Sequence, residues 1–422
     1  MEFPALLIMV YYKKAHSAAE DMKNFLMISP QYPQRLYFFA DRLKKRGLRV
    51  LGAGDHEFWN LRESLRHDIC EYCQTTLDCY DVNGNPGGEN LDNVCSALGY
   101  LQDKYGPLGH IESFNEWWLP LDATLRERFG VPGVQPEQLA HLTRKSLMKK
   151  RFQQAGVLTV PGQLLSTLDE MLDFFSASGG DIVVKPDRGV GASDTHRLRS
   201  EAQCRCFFEH RNPELSYFLE KFVDAPDREL LSFDGLAGAD GEPVFFTAHK
   251  YSSGIMEIVG GNPLSYWSYK STELPSGLKE AGLAALKSFG LKNNFFHIEF
   301  FKTGGRIIGL EINARPPGVL TLDMINHAKG IDCWDLYAAL AAGEKPAFTP
   351  CGDLVSAYSA RLYDGRHYRF SHDQLMERFP DEIAFHMPMD SKVMGDYAYL
   401  LCAQSQERCF EIIKEISAAY GD

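Results

Sequence analysis

"LEINARPPG" runs from Leu310 to Gly318, and how its polar residues are read decides the fold. Side chains of a strand alternate between faces, so Glu311, Asn313 and Arg315 share one. A carboxylate, an amide and a guanidinium within about 13 Å of extended chain do not build an apolar core. They make either a solvated polar edge or one wall of a binding site. Upstream, "FFHIEFF" (Phe295–Phe301) and "RIIGLEINA" (Arg306–Ala314) flank the pair Gly304-Gly305, the pattern of a β-hairpin. A three-residue loop, Gly304 to Arg306, sets Glu299 opposite Glu311. A two-residue turn shifts the register by one and puts the two on opposite faces. In the first register Glu299, Glu311 and Asn313 form an all-oxygen cluster. Two carboxylates facing each other across a ladder are destabilising unless a cation lies between them. Oxygen ligands of this kind suit Mg²⁺, and Arg315 is a rigid donor fork for a phosphate or carboxylate.

Outward from the hairpin, the first 130 residues alternate strand-like and helix-like segments. "ALLIMVYY" (Ala5–Tyr12) reads as a buried parallel strand, followed by an irregular stretch. In "QRLYFFADRLKKRG" the residues Leu36, Phe39, Ala40 and Leu43 keep helical spacing up to Gly47. "LRVLGAG" and "HIESF" (His110–Phe114) are further strands, with a helix ending near Tyr105. Strand and helix in alternation predict a parallel α/β sheet. A second unit opens with a helix near Arg144. It continues with a capping box, Thr167 to Glu170, and the strands "DIVVKP" and "YFLEKFV". A helix over about Ser276–Phe289 precedes the hairpin, and the last 70 residues close on a strand and an amphipathic helix.

The bulk composition narrows the classes. A chain of 422 residues is too long for one ordinary core and predicts two or three domains. A net charge of −12 argues against nucleic acid or an anionic membrane as partner. "ALLIMVYY" lacks a basic flank before it and is too short to span a bilayer, so the expected location is the cytoplasm. The ten cysteines are expected to be reduced. Cys70, Cys73, Cys79 and Cys95 lack the second close pair of a structural zinc site and are read as packing thiols.

Two more motifs carry charge. "VVKPDRGVGAS" (Val183–Ser193) puts Lys185 at the end of a buried strand before Gly189 and Gly191, a loop whose backbone N–H groups suit phosphate oxygens. It is neither a Walker loop nor a Rossmann fingerprint. "TRKSLMKKRFQQAGVLTVPG" (Thr143–Gly162) sets Lys145 early in a basic helix, with Lys149, Lys150 and Arg151 read as its solvated face. Taken in order, this helix, the second lysine, the glycine loop, "LEKFV" and a hairpin with Glu…Glu-x-Asn-x-Arg resemble the ATP-grasp superfamily from about Asn115 to Gly343.

The resemblance implies an N-terminal α/β domain (1–125) and an ATP-grasp core (126–350), with a small lid lobe at about 160–222 and a large lobe at 223–350. An α/β segment (351–422) completes the large lobe. It implies that Lys145 and Lys185 bind nucleotide phosphates under a lid of Gly189, Gly191, Ala192 and Ser193. Glu220, Lys221 and Val223 belong to the strand that reads adenine, and Glu229 is the candidate for the ribose. Glu299, Glu311 and Asn313 hold Mg²⁺, expected as two ions with Mn²⁺ as an alternative, while Arg315 and Lys185 steady the transferred phosphate. Glu116 in "FNEWW" stands at the edge of the substrate cleft, with a helix N-terminal charge as its plain alternative. Tyr266, Trp267 and Tyr269 in "GGNPLSYWSYKSTELP" either line an acceptor pocket or pack the loop. The implied activity is ligation of a carboxylate to an amine through an acyl phosphate, with ADP released and an amino acid or small acid as substrate. A kinase acting on a hydroxyl and a nucleotide-binding module without turnover are the rival classes. A dimer is only the commonest default.

Overall fold

The computed structural model describes residues 10–12, 22–189, 194–252, 264–318, 320–391 and 394–419. Their strands sort into sheets of five, four and nine. The first sheet holds β1 (Val10–Tyr12), β2 (Asn24–Ile28), β3 (Arg49–Gly54), β4 (Glu71–Gln74) and β5 (Leu108–Glu112) in the order β1-β4-β3-β2-β5. β2, β3, β4 and β5 run parallel, and the helices Tyr37–Lys45, Glu63–Asp68 and Gly88–Tyr105 carry the crossovers. β2 and β3 are buried at every position, as befits strands covered on both faces.

The reading of Ala5–Tyr12 as a buried parallel strand does not hold. Only Val10–Tyr12 of that run lies within the described residues, and it pairs antiparallel with β4 at the sheet edge. An edge strand needs one partner and escapes the crossover rule that keeps interior strands parallel. The first parallel strand is "NFLMI" (Asn24–Ile28), inside the stretch read as irregular. Five residues with four apolar in a row show no period to read.

After β6 (Leu158–Thr159) come β7 (Gly162–Leu164), β8 (Ile182–Pro186), β9 (His196–Leu198) and β10 (Tyr217–Lys221). The last four form an antiparallel sheet in the order β7-β10-β8-β9. The helices Leu168–Ala177 and Glu201–His210 cover it with a separate core of Met171, Phe175, Ile182, Val184 and Leu219. Thr167 Oγ1 accepts the Glu170 N–H at 3.2 Å, one half of the expected capping box.

The third sheet contains β11 (Glu229–Ala237), β12 (Pro243–Tyr251), β13 (Ser265–Ser268), β14 (Asn294–Thr303), β15 (Arg306–Asn313), β16 (Val355–Arg361), β17 (Ile383–Ser391) and β18 (Gly395–Ala403). Its order is β17-β18-β16-β13-β12-β11-β14-β15-β6. Leu231, Phe233, Ile298, Phe300 and Ile312 form one face of its centre. They pack on Met148 and Phe152 of the helix Lys145–Gln154 and on Leu286 and Phe289 of the helix Leu278–Phe289. The alternate positions look the other way.

The hairpin that these strands make departs from the expected loop. Thr303 pairs with Arg306, so the turn has two residues, Gly304 and Gly305 at φ +54° and +70°. Positive φ at both positions is what a type I′ turn demands. Such a turn alone would part Glu299 from Glu311. The ladder slips between Glu299 and Phe300, however, so that Phe300 pairs with Gly309 and Glu299 with Glu311. Leu310 is the extra residue, a bulge that returns the two carboxylates to one face.

The first sheet docks on the third through a shared aromatic cluster. Phe39 stacks on Phe114 at 4.2 Å, and Phe295 on Tyr337 at 5.5 Å. Arg42–Asp332 (2.8 Å) and Arg46–Asp335 (2.5 Å) tie the helix Tyr37–Lys45 to the helix Cys333–Ala342. Cys73 and Cys79 lie in a core cluster of the first sheet with Cys70 and Cys95 packed against it. Among the described residues no group of three His, Cys, Asp or Glu is arranged to hold a metal ion. Among them, too, no helix is long and apolar enough to cross a membrane.

Candidate active site

The polar face of the third sheet is built by register. Ser232 of β11 pairs with Glu299 of β14, which pairs with Glu311 of β15, and Ser232 pairs with His249 of β12. One rung along, Asp234, His297 and Asn313 stand in line. Paired residues of a ladder point the same way, so both rows share the face opposite the apolar one. Asp234 is fully buried and accepts from His249 Nδ1 at 2.7 Å and from His297 Nδ1. His297 Nε2 reaches Glu299 Oε1 at 3.3 Å. Burial works to lower the His297 pKa, but the Asp234 carboxylate and then Glu299 outweigh it and raise the group to about 10. It is therefore an imidazolium at neutral pH, and against burial it holds Glu299 below the usual carboxylate range. Glu311 is pushed up by burial against the pull of Lys145, and Glu116 and Glu299 add to the rise.

Two opposed carboxylates and an amide oxygen on one face are hard donors. This donor set fits a divalent cation such as Mg²⁺. The sequence reading missed Asp234, His249 and His297 as a supporting network. The available signal was a histidine two residues before Glu299 in an otherwise apolar strand, on the same face by the strand period.

Three lysines meet beside these carboxylates. Lys145 and Lys149 stand one turn apart on the helix Lys145–Gln154 and are both buried. Lys185 ends β8. Glu220 of β10 is buried and binds Lys185 Nζ at 2.8 Å and Lys149 as an ion pair. Burial opposes its ionisation, yet the two ammonium groups hold its carboxyl down at about 2. Lys149 was read as part of a solvated face; the structure corrects this. Residues four apart lie on one side of a helix, so the face that presents Lys145 to the site presents Lys149 as well. Lys145 Nζ donates to Gly189 O at 3.4 Å. Gly191, Ala192 and Ser193 lie outside the described residues.

Arg315 follows β15 and donates from Nη2 to Glu116 Oε2 at 2.8 Å. Both line a cavity of about 590 Å³ between the first and third sheets, walled by Leu36, Phe39, Phe114, Trp117, Trp118, Leu322 and Trp334. Glu116 opens a short helical turn, Glu116–Trp118. The helix Leu119–Phe129 follows that turn directly, so Glu116 also stands at a helix N-terminus, while its side-chain partner is 199 residues away.

Other expected residues have partners of their own. Glu229 pairs with Lys302 and shares the apolar face with Leu231 and Phe233. Its carboxylate is clamped by Lys250 and by Lys302 at 3.0 Å. It faces away from Glu299, because it lies an odd number of positions from Ser232 on the same strand. Lys221 is exposed, its N–H donating to Pro161 O at 3.0 Å, and Val223 O accepts from Arg228 at 2.7 Å. Tyr266 does lie on the polar face, but it is 2% exposed, stacked between Tyr251 and Tyr358, with its hydroxyl 3.0 Å from Thr321 Oγ1. Tyr269 packs on the apolar cluster of the other face, and Trp267 packs on Phe410. None of the three lines the cavity. The packing alternative accounts for them.

Known structures share this fold. An L-amino acid ligase from Bacillus licheniformis superposes with a TM-score of 0.67 and 16% identity over 93% of this chain and 96% of that one. The biotin carboxylase domain of a Hydrogenobacter thermophilus 2-oxoglutarate carboxylase was solved with MgADP, ADP and bicarbonate. It superposes with a TM-score of 0.64 and 15% identity over 93% and 88%. The chain has the ATP-grasp fold. In sequence, an L-arginine-specific L-amino acid ligase from Bacillus subtilis is 24% identical over 272 residues. That match spans 62% of this chain and 65% of the relative, just under two thirds of its length. No protein-family model matches the chain. In this fold the lysines come from the helix before the small sheet and from that sheet itself, while the carboxylates come from the large one.

Proposed function

We propose that the protein is an ATP-dependent carboxylate–amine ligase that forms an amide through an acyl phosphate and releases ADP and phosphate. One observation carries the reading: Glu299 and Glu311 face each other across the β14–β15 ladder beside Lys145, Lys185 and Arg315. A carboxylate and a triphosphate repel, so a site that joins them must neutralise both before it aligns them. Lys145 and Lys185 bind the nucleotide phosphates. Arg315 takes the carboxylate that receives the γ-phosphate, once Glu116 has let it go. A carboxylate oxygen attacks phosphorus, the bond to ADP breaks, and an amine then adds to the acyl carbon and expels phosphate. Glu299, Glu311 and Asn313 would hold Mg²⁺, as two ions, which supplies charge neutralisation at the phosphates. The acceptor and donor are an amino acid and a second amino acid or small acid, in line with the names of the two amino acid ligases above.

The test is product analysis of the purified protein with ATP, Mg²⁺ and pooled amino acids and small acids. ADP and phosphate should appear only when substrates are present, and Glu311→Gln should lower the rate by at least about a hundredfold. AMP and pyrophosphate as products would overturn the acyl-phosphate chemistry. A stable phosphorylated hydroxyl compound formed without any amine would make the protein a kinase.

A further inference from the structure

The cavity beside Arg315 says more about the carboxylate substrate than its position does. At about 590 Å³ it lies in the range of small-molecule sites. Its inner wall is Phe39, Phe114, Leu322 and Trp334, each no more than 7% exposed. At its rim stand Tyr32 and Trp117, both 57% exposed. Large aromatic side chains left open at the mouth of an apolar cavity mark a surface that a ligand covers. The charged lining is sparse and already committed. Arg35 is paired with Asp323 and held between the rings of Phe38 and Phe385. Glu116 is the acidic residue of the lining, and it sits on Arg315. A charged side chain that reached this inner wall would face apolar side chains.

Resting on the ligase reading, we infer that the carboxylate substrate carries an aromatic or bulky aliphatic group that fills this cavity, with Arg315 at the carboxylate end. Trp117 is then a specificity residue that closes over the group from the rim. Burying a side chain of that size gives at least about a tenfold preference over a methyl group.

The experiment is calorimetric binding with Mg²⁺ and a non-hydrolysable ATP analogue, alongside ADP release with ATP. The probes are L-phenylalanine, L-leucine and 3-phenylpropionate against L-alanine, L-arginine and L-glutamate. At least one of the first three should bind at least about tenfold tighter than each of the second three. Trp117→Ala should raise the KM of the preferred compound about tenfold with little change in kcat, and Trp117→Phe should restore it. Trp59→Ala, an exposed tryptophan away from the cavity, should change neither. Preference for alanine, arginine or glutamate overturns the inference while ADP release keeps the ligase reading. Tight binding of a bulky apolar acid without ADP release does the reverse. Binding of none of the six overturns the inference.

Discussion

His297 holds a proton between two carboxylates that would otherwise repel each other, Asp234 behind it and Glu299 in front. Its folded pKa is raised to about 10 from an ordinary 6.5. A raised pKa means that the folded protein binds the proton more tightly than the unfolded chain. The stabilisation is then complete below pH 6.5 and is lost as the pH climbs toward 10. We predict that the melting temperatures of the wild type and His297→Gln differ most at or below pH 6.5 and converge toward pH 10. Loss of a group that orients a metal ligand typically weakens the metal about 10–100-fold. The variant should therefore need correspondingly more Mg²⁺ for turnover, which a metal titration of ADP release reads directly. An equal gap in melting temperature at pH 6 and pH 10 would count against the imidazolium.

At this scale the sequence was legible where residue type and period agree. Glu311, Asn313 and Arg315 declare themselves because no apolar strand would carry them. Lys149 did not, since a lysine among lysines looks solvated until its partner Glu220, 71 positions on, is known. The surroundings of Glu229 were illegible for the opposite reason: its face is set by ladder partners in other strands, which a local reading does not contain.

The hairpin is legible as an element and illegible in its register. Two glycines announce the turn, but nothing in "RIIGLEINA" announces that Leu310 is unpaired, and that one residue decides whether the carboxylates meet. The neighbouring glycine has its own reason. A Cβ on Gly309 would stand 2.8 Å from the ring of Phe152, which is fully buried on the helix that carries Lys145 and Lys149. A missing side chain in this strand thus allows the close approach that sets the lysines over the carboxylates. Gly309→Ala should cost about 1–3 kcal/mol through overpacking, measured by urea unfolding. It should also weaken nucleotide binding, because the helix has to move outward with Phe152. Unchanged nucleotide affinity in a destabilised variant would separate the packing from the site.

For the whole molecule, the α/β class and the order of elements follow from local pattern, while sheet membership does not. The last strands add to a sheet whose centre lies more than a hundred residues earlier, and periodicity carries no information about partners. The cores are also unequal. The first and third sheets share the aromatic cluster of Phe39, Phe114, Phe295 and Tyr337, reinforced by the arginines of the helix Tyr37–Lys45, whereas the four-stranded sheet has a core of its own. What joins that small sheet to the site is polar: Glu220 on Lys149, and Lys185 near Glu299 and Glu311. A unit with a separate core opens on its own, and a ligand that bridges its lysines to the carboxylates should stop it doing so. ATP with Mg²⁺ at a hundred times its Kd should stabilise the fold by about 2.7 kcal/mol. Hydrogen exchange should show the protection concentrated in residues 162–221 and in the helix Lys145–Gln154, and chelation of Mg²⁺ should remove most of it. Protection spread evenly over all three sheets would mean that the small sheet does not move as a separate unit.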